Sequence, residues 1–383
     1  MDLSIDEIIN KRESDQEIID KIKAKYSIDI QCNESDDSIV YTTQNNELQK
    51  STLCIQSGIA AMRRNPPPVG EKRLVSMADI QRVELGVIRE RTVSAAECED
   101  DGMQKLMFSA LDYQNQIQVP LCLAEADNTE FGSDFFRRFG FHYIYDRPHY
   151  ELRTEMISKQ ILERATGGEM VLLVEPNITL QVVGQDDMLS LAHFVNARLC
   201  RQYGLFMIRS AAYYECFQRD LRDHGGNLFQ IMEGGVRKGY FVYTNELNGS
   251  IGEAVFDSVS DRERYLLTKE EKKPSVMARI VNMSELLRHI AGNGKITIAI
   301  RIEDPVIAEN DGLFIWYIDD NGSRMERVEQ ANDKQDGDAS MRPEVTVTIG
   351  EFTAFLFEYI QLKENAKFDS IYLSGPVWMN KRN

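Results

Sequence analysis

No pair of cysteines in this 383-residue chain is spaced as Cys-x-x-Cys, and its six cysteines (Cys32, Cys54, Cys98, Cys122, Cys200 and Cys216) fall in stretches that read as helix or strand. A zinc site and a disulfide framework are both unsupported by that spacing. The five histidines, His142, His149, His193, His224 and His289, have no Cys, Ser or Asp partner at motif spacing and read as structural. No run approaches the ~20 apolar residues of a membrane-spanning helix. The opening MDLSIDEIINKRESDQEII is charged throughout and lacks the apolar stretch of a secretory signal, so a cytoplasmic protein is expected. Positive charge is also scarce: 44 Lys and Arg stand against 61 Asp and Glu, a formal net charge of −17. Such a surface repels nucleic acid and anionic membrane and favours a cationic small molecule or a basic peptide.

The chain has the makings of several cores. Its hydrophobic fraction of 43% and charged fraction of 27% are those of a folded protein. Its length exceeds what one ordinary core supports, so two or three domains are expected.

Two stretches share an order of elements. Helical segments at Ile5–Ile9 and Asp15–Tyr26 lead to a strand at Ser38–Thr43, a polar turn at Asn45-Asn46 and a second strand. Later, a helix over Asp187–Tyr203 carries Met188, Leu191, Ala192, Val195 and Leu199 on one stripe. Ser210 then caps a second helix that buries Tyr213, Tyr214, Phe217 and Leu221 and stops at Gly225-Gly226. Strands at Asn227–Met232 and Lys238–Thr244 follow, joined at Gly234-Gly235. Helix, helix, hairpin thus recurs at a spacing of roughly 190 residues, as in a duplicated domain.

After the charged linker Thr268–Pro274 come a short helix at Met283–Ile290, strands at Lys295–Ile302 and Leu313–Ile318, a polar tract at Gln330–Arg342, a strand at Val345–Ile349 and a helix at Phe352–Ile360. An apolar ligand between that sheet and the last helix is conceivable, although its aromatic stripe reads as core.

Three places carry a family resemblance. The segment Phe135-Phe-Arg-Arg-Phe-Gly-Phe141 looks like a motif of the form Tyr-x-Arg-Phe-Gly. Met277-Ala-Arg-Ile-Val281 with Arg301-Ile-Glu-Asp-Pro305 is similar to the start of a sterol-carrier-like domain, and Pro376-Val-Trp-Met-Asn380 to its end. Arg209-Ser-Ala-Ala-Tyr-Tyr214, with Gly239-Tyr-Phe241 later, resembles a second domain of the same kind as the first. Together these resemble the GNAT acetyltransferases of the Eis (enhanced intracellular survival) type. The resemblance implies an α+β protein: an N-terminal GNAT-like domain over residues 1–155, a second over 156–272 and a sterol-carrier-like domain over 273–383. It also implies acetyl-CoA as cofactor, a primary amine such as a polyamine, aminoglycoside or lysine as acceptor, and a homo-oligomer.

Such an enzyme binds the diphosphate of acetyl-CoA on free N–H groups at a helix N-terminus. The helix following the central strand begins here at Gly102, with Met103, Leu106, Met107, Ala110 and Leu111 as its buried stripe. By resemblance the loop positions are Val93, Ser94, Glu99, Asp100, Asp101, Gly102 and Met103. The family's arginines are replaced by Glu99, Asp100 and Asp101, so the sign is inverted. Those carboxylates suit the helix as caps but repel a diphosphate, by about 3 kcal/mol each at ~5 Å and an effective dielectric of ~20. Weak or absent cofactor binding is expected.

The resemblance further implies a tyrosine acid where this chain has Phe136, and a base in the chain-terminal carboxylate, here that of Asn383. Phenylalanine donates no proton. Tyr143 and Tyr145 are weaker acid candidates that alternate as strand residues do. Two functions therefore remain: an acetyltransferase with impaired cofactor binding and catalysis, or a non-catalytic binding or assembly protein that keeps the scaffold.

Overall fold

The computed structural model describes residues 5–33, 38–46, 49–63, 80–92, 101–125, 130–223, 225–244, 250–269, 273–290, 294–319, 322–328, 342–362 and 377–378. The chain divides into two compact units. Unit 1 comprises residues 1–145 and 274–377, and unit 2 residues 146–273 and 378–383.

Unit 1 opens with helix α1 (Ile5–Tyr26), then strands β1 (Asp29–Asn33), β2 (Ser38–Asn46), β3 (Gln49–Arg63) and β4 (Ile80–Thr92), helix α2 (Asp101–Gln116), strand β5 (Leu121–Glu125), helix α3 (Glu130–Arg138) and strand β6 (His142–Arg147). One continuous α1 replaces the two helical segments expected from the sequence. Nothing between Ile9 and Asp15 is a proline or glycine, so nothing stops the helix. Strands β1 to β4 form an antiparallel meander, and β5 then pairs with β4 in parallel, Leu85 opposite Leu121 through Ile88 opposite Ala124. Helix α2 makes the crossover. Its stripe of Met103, Leu106, Met107, Ala110 and Leu111 is buried as its spacing predicted. Burial of each large side chain contributes about 1.5–3 kcal/mol. That anchors α2 on the meander.

Unit 2 contains β7 (Tyr150–Leu152), α4 (Lys159–Thr166), β8 (Val171–Leu172), β9 (Ile178–Val182), α5 (Met188–Gln202), β10 (Leu205–Met207), α6 (Ala211–Asp223), β11 (Asn227–Glu233), β12 (Val236–Thr244), β13 (Ser250–Phe256), α7 (Val259–Tyr265) and β14 (Leu266–Thr268). Its sheet runs β14-β7-β13-β12-β11-β9-β8, and its described pairings are antiparallel. The expected stripe of α5 is buried, and Ser210 caps α6 by accepting from the Tyr213 N–H at 3.0 Å. Gly234 and Gly235 take φ of +56° and +83°, the left-handed pair that a tight hairpin turn requires.

The chain then re-enters unit 1 with β15 (Lys273–Ile280), α8 (Met283–Leu287), β16 (Ile296–Glu303), β17 (Gly312–Asp319), β18 (Gly322–Arg327), β19 (Val345–Thr348) and α9 (Ile349–Leu356). Strand β15 inserts between β5 and β6, antiparallel to β5 from Val276 opposite Glu125 to Ile280 opposite Leu121. Buried on both faces, it reads as a nearly unbroken apolar run. The remaining strands form a sheet of order β18-β17-β16-β19, covered by α9. Trp316 of β17 meets Phe352 of α9 edge to face at 5.3 Å, so the aromatic stripe of this helix is core.

Helix α9 starts three residues before the expected Phe352. A capping box sets the start: Thr348 Oγ1 accepts from the Glu351 N–H at 3.2 Å, and Glu351 Oε2 accepts from the Thr348 N–H at 2.9 Å. Helix α8 is capped by Asn282, which accepts from the Glu285 N–H at 3.1 Å. Among the described residues no helix is long and apolar enough to cross a membrane.

Candidate functional site

In unit 1 the chain crosses from β4 through α2 to the parallel strand β5, and the strand pairing ends at Ile88 and Ala124 while β4 runs on to Thr92. This βαβ geometry presents the N-terminus of α2, the positive end of its dipole, beside the ends of the two strands. Unit 2 has no such parallel pair among its described residues.

Asp101 opens α2, and Gly102 and Met103 follow in its first turn, both buried. Val93, Ser94, Glu99 and Asp100 lie outside the described residues, as does Asn383. The sequence leading into this helix is Glu97-Cys-Glu-Asp-Asp101, of which only Asp101 lies within the described residues.

Phe136, at the position where the resemblance implies a phenol, lies in the last turns of α3 and is 1% exposed. It packs edge to face on Phe135 at 5.5 Å and against Phe141 at 5.4 Å, within one core shared with α2 and Phe139. The ring serves the core. Tyr143 and Tyr145 stand half-buried on β6, and the Arg137 guanidinium lies 5.6 Å from the Tyr143 ring centre.

A buried ion pair sits directly behind this motif. Arg279, on β15, is fully buried and directs Nη2 at both carboxylate oxygens of Asp304, at 2.8 and 2.6 Å. Its Nη1 donates to the Phe139 carbonyl, in the turn where Gly140 takes φ +78°. A Cβ on Gly140 would stand 2.6 Å from Ile349 Cγ2, so that turn requires glycine on two counts. Asp304 also accepts from Val306 N (2.9 Å), Ile307 N (3.1 Å) and Asn310 Nδ2 (3.2 Å). Burial lowers the Arg279 pKa and Asp304 opposes that shift. The Cys122 thiol is pushed up to about 12 by burial, partly offset by Arg279, and is therefore no nucleophile at neutral pH.

Sequence reasoning missed this pair. The signal was available: one arginine inside the apolar run Val276-Met-Ala-Arg-Ile-Val281, and an aspartate within Arg301-Ile-Glu-Asp-Pro305.

Beside the same turn is a cavity of about 640 Å³ lined by Arg137, His142, Arg301, Glu303, Thr348 and Glu351, among others. Some of its charged groups are engaged in place. Arg301 Nη2 reaches Asp311 Oδ1 at 3.2 Å, and Glu351 is spent on the α9 cap.

Unit 2 holds a second buried polar cluster. Arg209 and Glu253 are both nearly fully buried, with Nη2 and Oε2 3.8 Å apart. The Tyr240 hydroxyl donates to Glu253 Oε1 and accepts from the Tyr214 hydroxyl at 3.2 Å. Burial raises the Glu253 carboxyl above its ordinary value, against the opposing effects of Arg209 and Tyr240. Asn196 grips the Arg209 backbone on both sides, at 2.8 and 2.9 Å, so the Arg209-Ser-Ala-Ala-Tyr-Tyr214 segment is fixed on α5. These contacts are structural. Among the described residues no group of three His, Cys, Asp or Glu is placed to hold a metal ion.

Comparison with known proteins places these features in a class. Residues 285–376 match the model of a sterol carrier protein domain. A GCN5-related N-acetyltransferase from Anabaena variabilis is similar in structure with a TM-score of 0.57, at 13% identity over 88% of this chain and 84% of that one. A conserved protein of unknown function from Enterococcus faecalis, described as a probable N-acyltransferase, gives 0.59 at 12% identity, covering 94% and 92%. Eis1 from Mycobacterium abscessus gives 0.52 at 9% identity, covering 82% and 79%. No curated protein matches the chain in sequence. The fold is therefore that of the GNAT N-acetyltransferases with a C-terminal sterol carrier domain, and the α+β architecture expected from the motifs is the one found. Eis1 stands among the proteins that share it.

Proposed function

We propose that the chain is an N-acyltransferase scaffold of the Eis-like kind whose grip on acetyl-CoA and whose acid step are impaired, with unit 1 as the half that faces the cofactor. The observation that carries this reading is the parallel β4–β5 pair crossed by α2, a helix whose start is preceded in sequence by Glu97, Glu99 and Asp100 and opened by Asp101. The acceptor best suited to a chain of net charge −17 is a cationic primary amine, such as a polyamine, an aminoglycoside or a lysine of a basic peptide.

Calorimetric titration of the full chain with acetyl-CoA tests the reading. Binding weaker than about 100 μM is expected, since each like-charge contact costs of order 1–3 kcal/mol against the ~8 kcal/mol of a micromolar complex. Low-micromolar binding by the wild type overturns it. The combined variant Glu99→Arg, Asp100→Arg, Asp101→Gly is expected to recover measurable binding that shrinks as salt is raised.

A second reading, a non-catalytic binding or assembly protein, is favoured by Phe136, which is a core residue rather than one facing a cleft. The charge-reversed variant separates the two. Recovered binding supports a worn cofactor site, and no recovery supports the scaffold that has lost one altogether.

A further inference from the structure

The cavity beside the Phe139-Gly140 turn of unit 1 is lined by opposite charges that do not pair with each other. Most of its ionisable groups have partners: Asp304 binds Arg279, Arg301 reaches Asp311 at 3.2 Å, and Glu351 closes the Thr348 cap. Arg137 and Glu303 do not. Both are exposed, and among the described residues neither makes a hydrogen bond or an ion pair. The Arg137 guanidinium rests 5.6 Å from the centre of the Tyr143 ring, which restrains the cation without neutralising it. His142 adds an acceptor. Its Nδ1 lies 3.1 Å from the Tyr143 carbonyl, which can only accept, so Nδ1 carries the hydrogen and Nε2 of the neutral ring is left with a lone pair.

Between these polar groups the lining is apolar or bare backbone. Phe141, Pro305 and Ile349 supply carbon, and Gly140 and Gly350 meet so closely that a Cβ on Gly350 would stand 3.1 Å from the Gly140 carbonyl oxygen. The volume, about 640 Å³, is that of a small-molecule site. A charge on a convex surface is satisfied by water, and two opposite charges brought near each other are satisfied by pairing. Here a cation and an anion share one concavity and do neither with each other. We propose that this cavity binds a zwitterionic small molecule with an apolar body, a free α-amino acid or a dipeptide, with its carboxylate on Arg137 and its ammonium on Glu303.

Each contact follows from the chemistry of the side chain. A guanidinium presents a planar fork of donors that matches a carboxylate in two parallel hydrogen bonds. An ionised Glu303 only accepts, as does Nε2 of a neutral His142, and an ammonium only donates. A simple anion would meet Glu303 and Asp311 in the same cavity, and a simple cation would meet Arg137 and Arg301. A ligand that carries both signs is matched at both ends. The cavity also lies away from the start of α2. The Ile280 N–H donates to Thr353 Oγ1 of α9 at 3.2 Å, and Ile280 lies opposite Leu121, so α9 sits where β5 begins. Residues 117–120 alone join that strand to the last turn of α2, whose first turn is about 24 Å away along its 16 residues. A zwitterion here is therefore a second ligand rather than an acyl acceptor.

Calorimetric titration of the full chain with leucine and with leucyl-leucine tests this, and a dissociation constant between about 10 μM and 1 mM is expected for at least one of them. Whichever binds, its amide, which lacks the carboxylate, and its N-acetyl form, which lacks the ammonium, are each expected to bind at least ~10-fold more weakly. Arg137→Gln and Glu303→Gln are each expected to weaken the zwitterion by a similar factor. Orientation is read by crossing the two series. In Glu303→Gln the penalty for N-acetylation is expected to vanish while that for amidation stays, and in Arg137→Gln the reverse. Both side chains are exposed, so an unchanged melting temperature is expected and separates lost binding from misfolding. No binding of either zwitterion up to about 10 mM, equal binding of the capped forms, or binding that neither substitution alters overturns the proposal.

Discussion

Replacing Asp304 by alanine removes the partner of a fully buried guanidinium and is expected to be among the most damaging single changes in unit 1. Asp304 accepts two hydrogen bonds from Arg279 Nη2 (2.8 and 2.6 Å), one each from the Val306 and Ile307 N–H groups, and one from Asn310 Nδ2. With the carboxylate gone, the Arg279 charge stays buried without compensation, since its side chain has no path to water. Breaking a buried pair in this way costs about 3–5 kcal/mol. For a unit of this size each kcal/mol shifts the melting temperature by about 2–4 °C, so a fall of roughly 6–20 °C is expected. Urea unfolding followed by near-ultraviolet circular dichroism measures it, with calorimetry showing which of the two units melts early. The double variant Arg279→Met, Asp304→Leu removes both charges and is expected to recover most of the loss, because desolvation then no longer opposes folding. A cost below about 1 kcal/mol for Asp304→Ala, the level of an exposed pair, would refute the reading of this contact as a buried anchor.

Phe136→Tyr adds a hydroxyl to a ring that is 1% exposed and wedged between Phe135 and Phe141, so a loss of about 1–3 kcal/mol of stability is expected in urea unfolding. An unchanged midpoint would mean that the para position already faces a polar space. The contact between α1 and α2 is expected to depend on pH: burial opposes ionisation of Asp112, but hydrogen bonds from Lys25 (2.6 Å), Gln116 and Tyr26 hold its carboxyl below the ordinary value. A lowered folded pKa gives stability that is present above the unfolded value and lost as pH falls through the folded one. Asp112→Asn is thus expected to cost under ~1 kcal/mol at pH 7, the Lys25 side being well exposed, and nothing in strong acid. A wild-type-minus-variant difference that does not narrow on acidification counts against it.

The elements most legible in the sequence were those whose signals are local. The stripes of α2 and α5, the Ser210 cap of α6 and the Gly234-Gly235 hairpin each depend on residues within one or two turns of each other, and all four are found. The start of α9 was also written locally, as the Thr348 to Glu351 capping box, and was passed over in favour of the aromatic stripe that follows it. Strand β18 had no such signal. Gly322–Arg327 is a polar edge strand with no buried residue, so alternation could not mark it, and its existence follows from pairing with β17.

For the candidate site the division is similar. The acidic run before α2 and the phenylalanine at residue 136 are facts of residue type, and the sequence alone determines them. The same holds for the net charge of −17. Only the tertiary structure decided that β15 lies between β5 and β6, that Arg279 meets Asp304 behind the Phe139-Gly140 turn, and that Phe136 is core. The reason is physical. Periodicity, caps and turns are set by neighbours a few residues away, whereas β15 and β5 are about 150 residues apart and are joined by burial and by a charge that needs a distant partner, which no local pattern encodes.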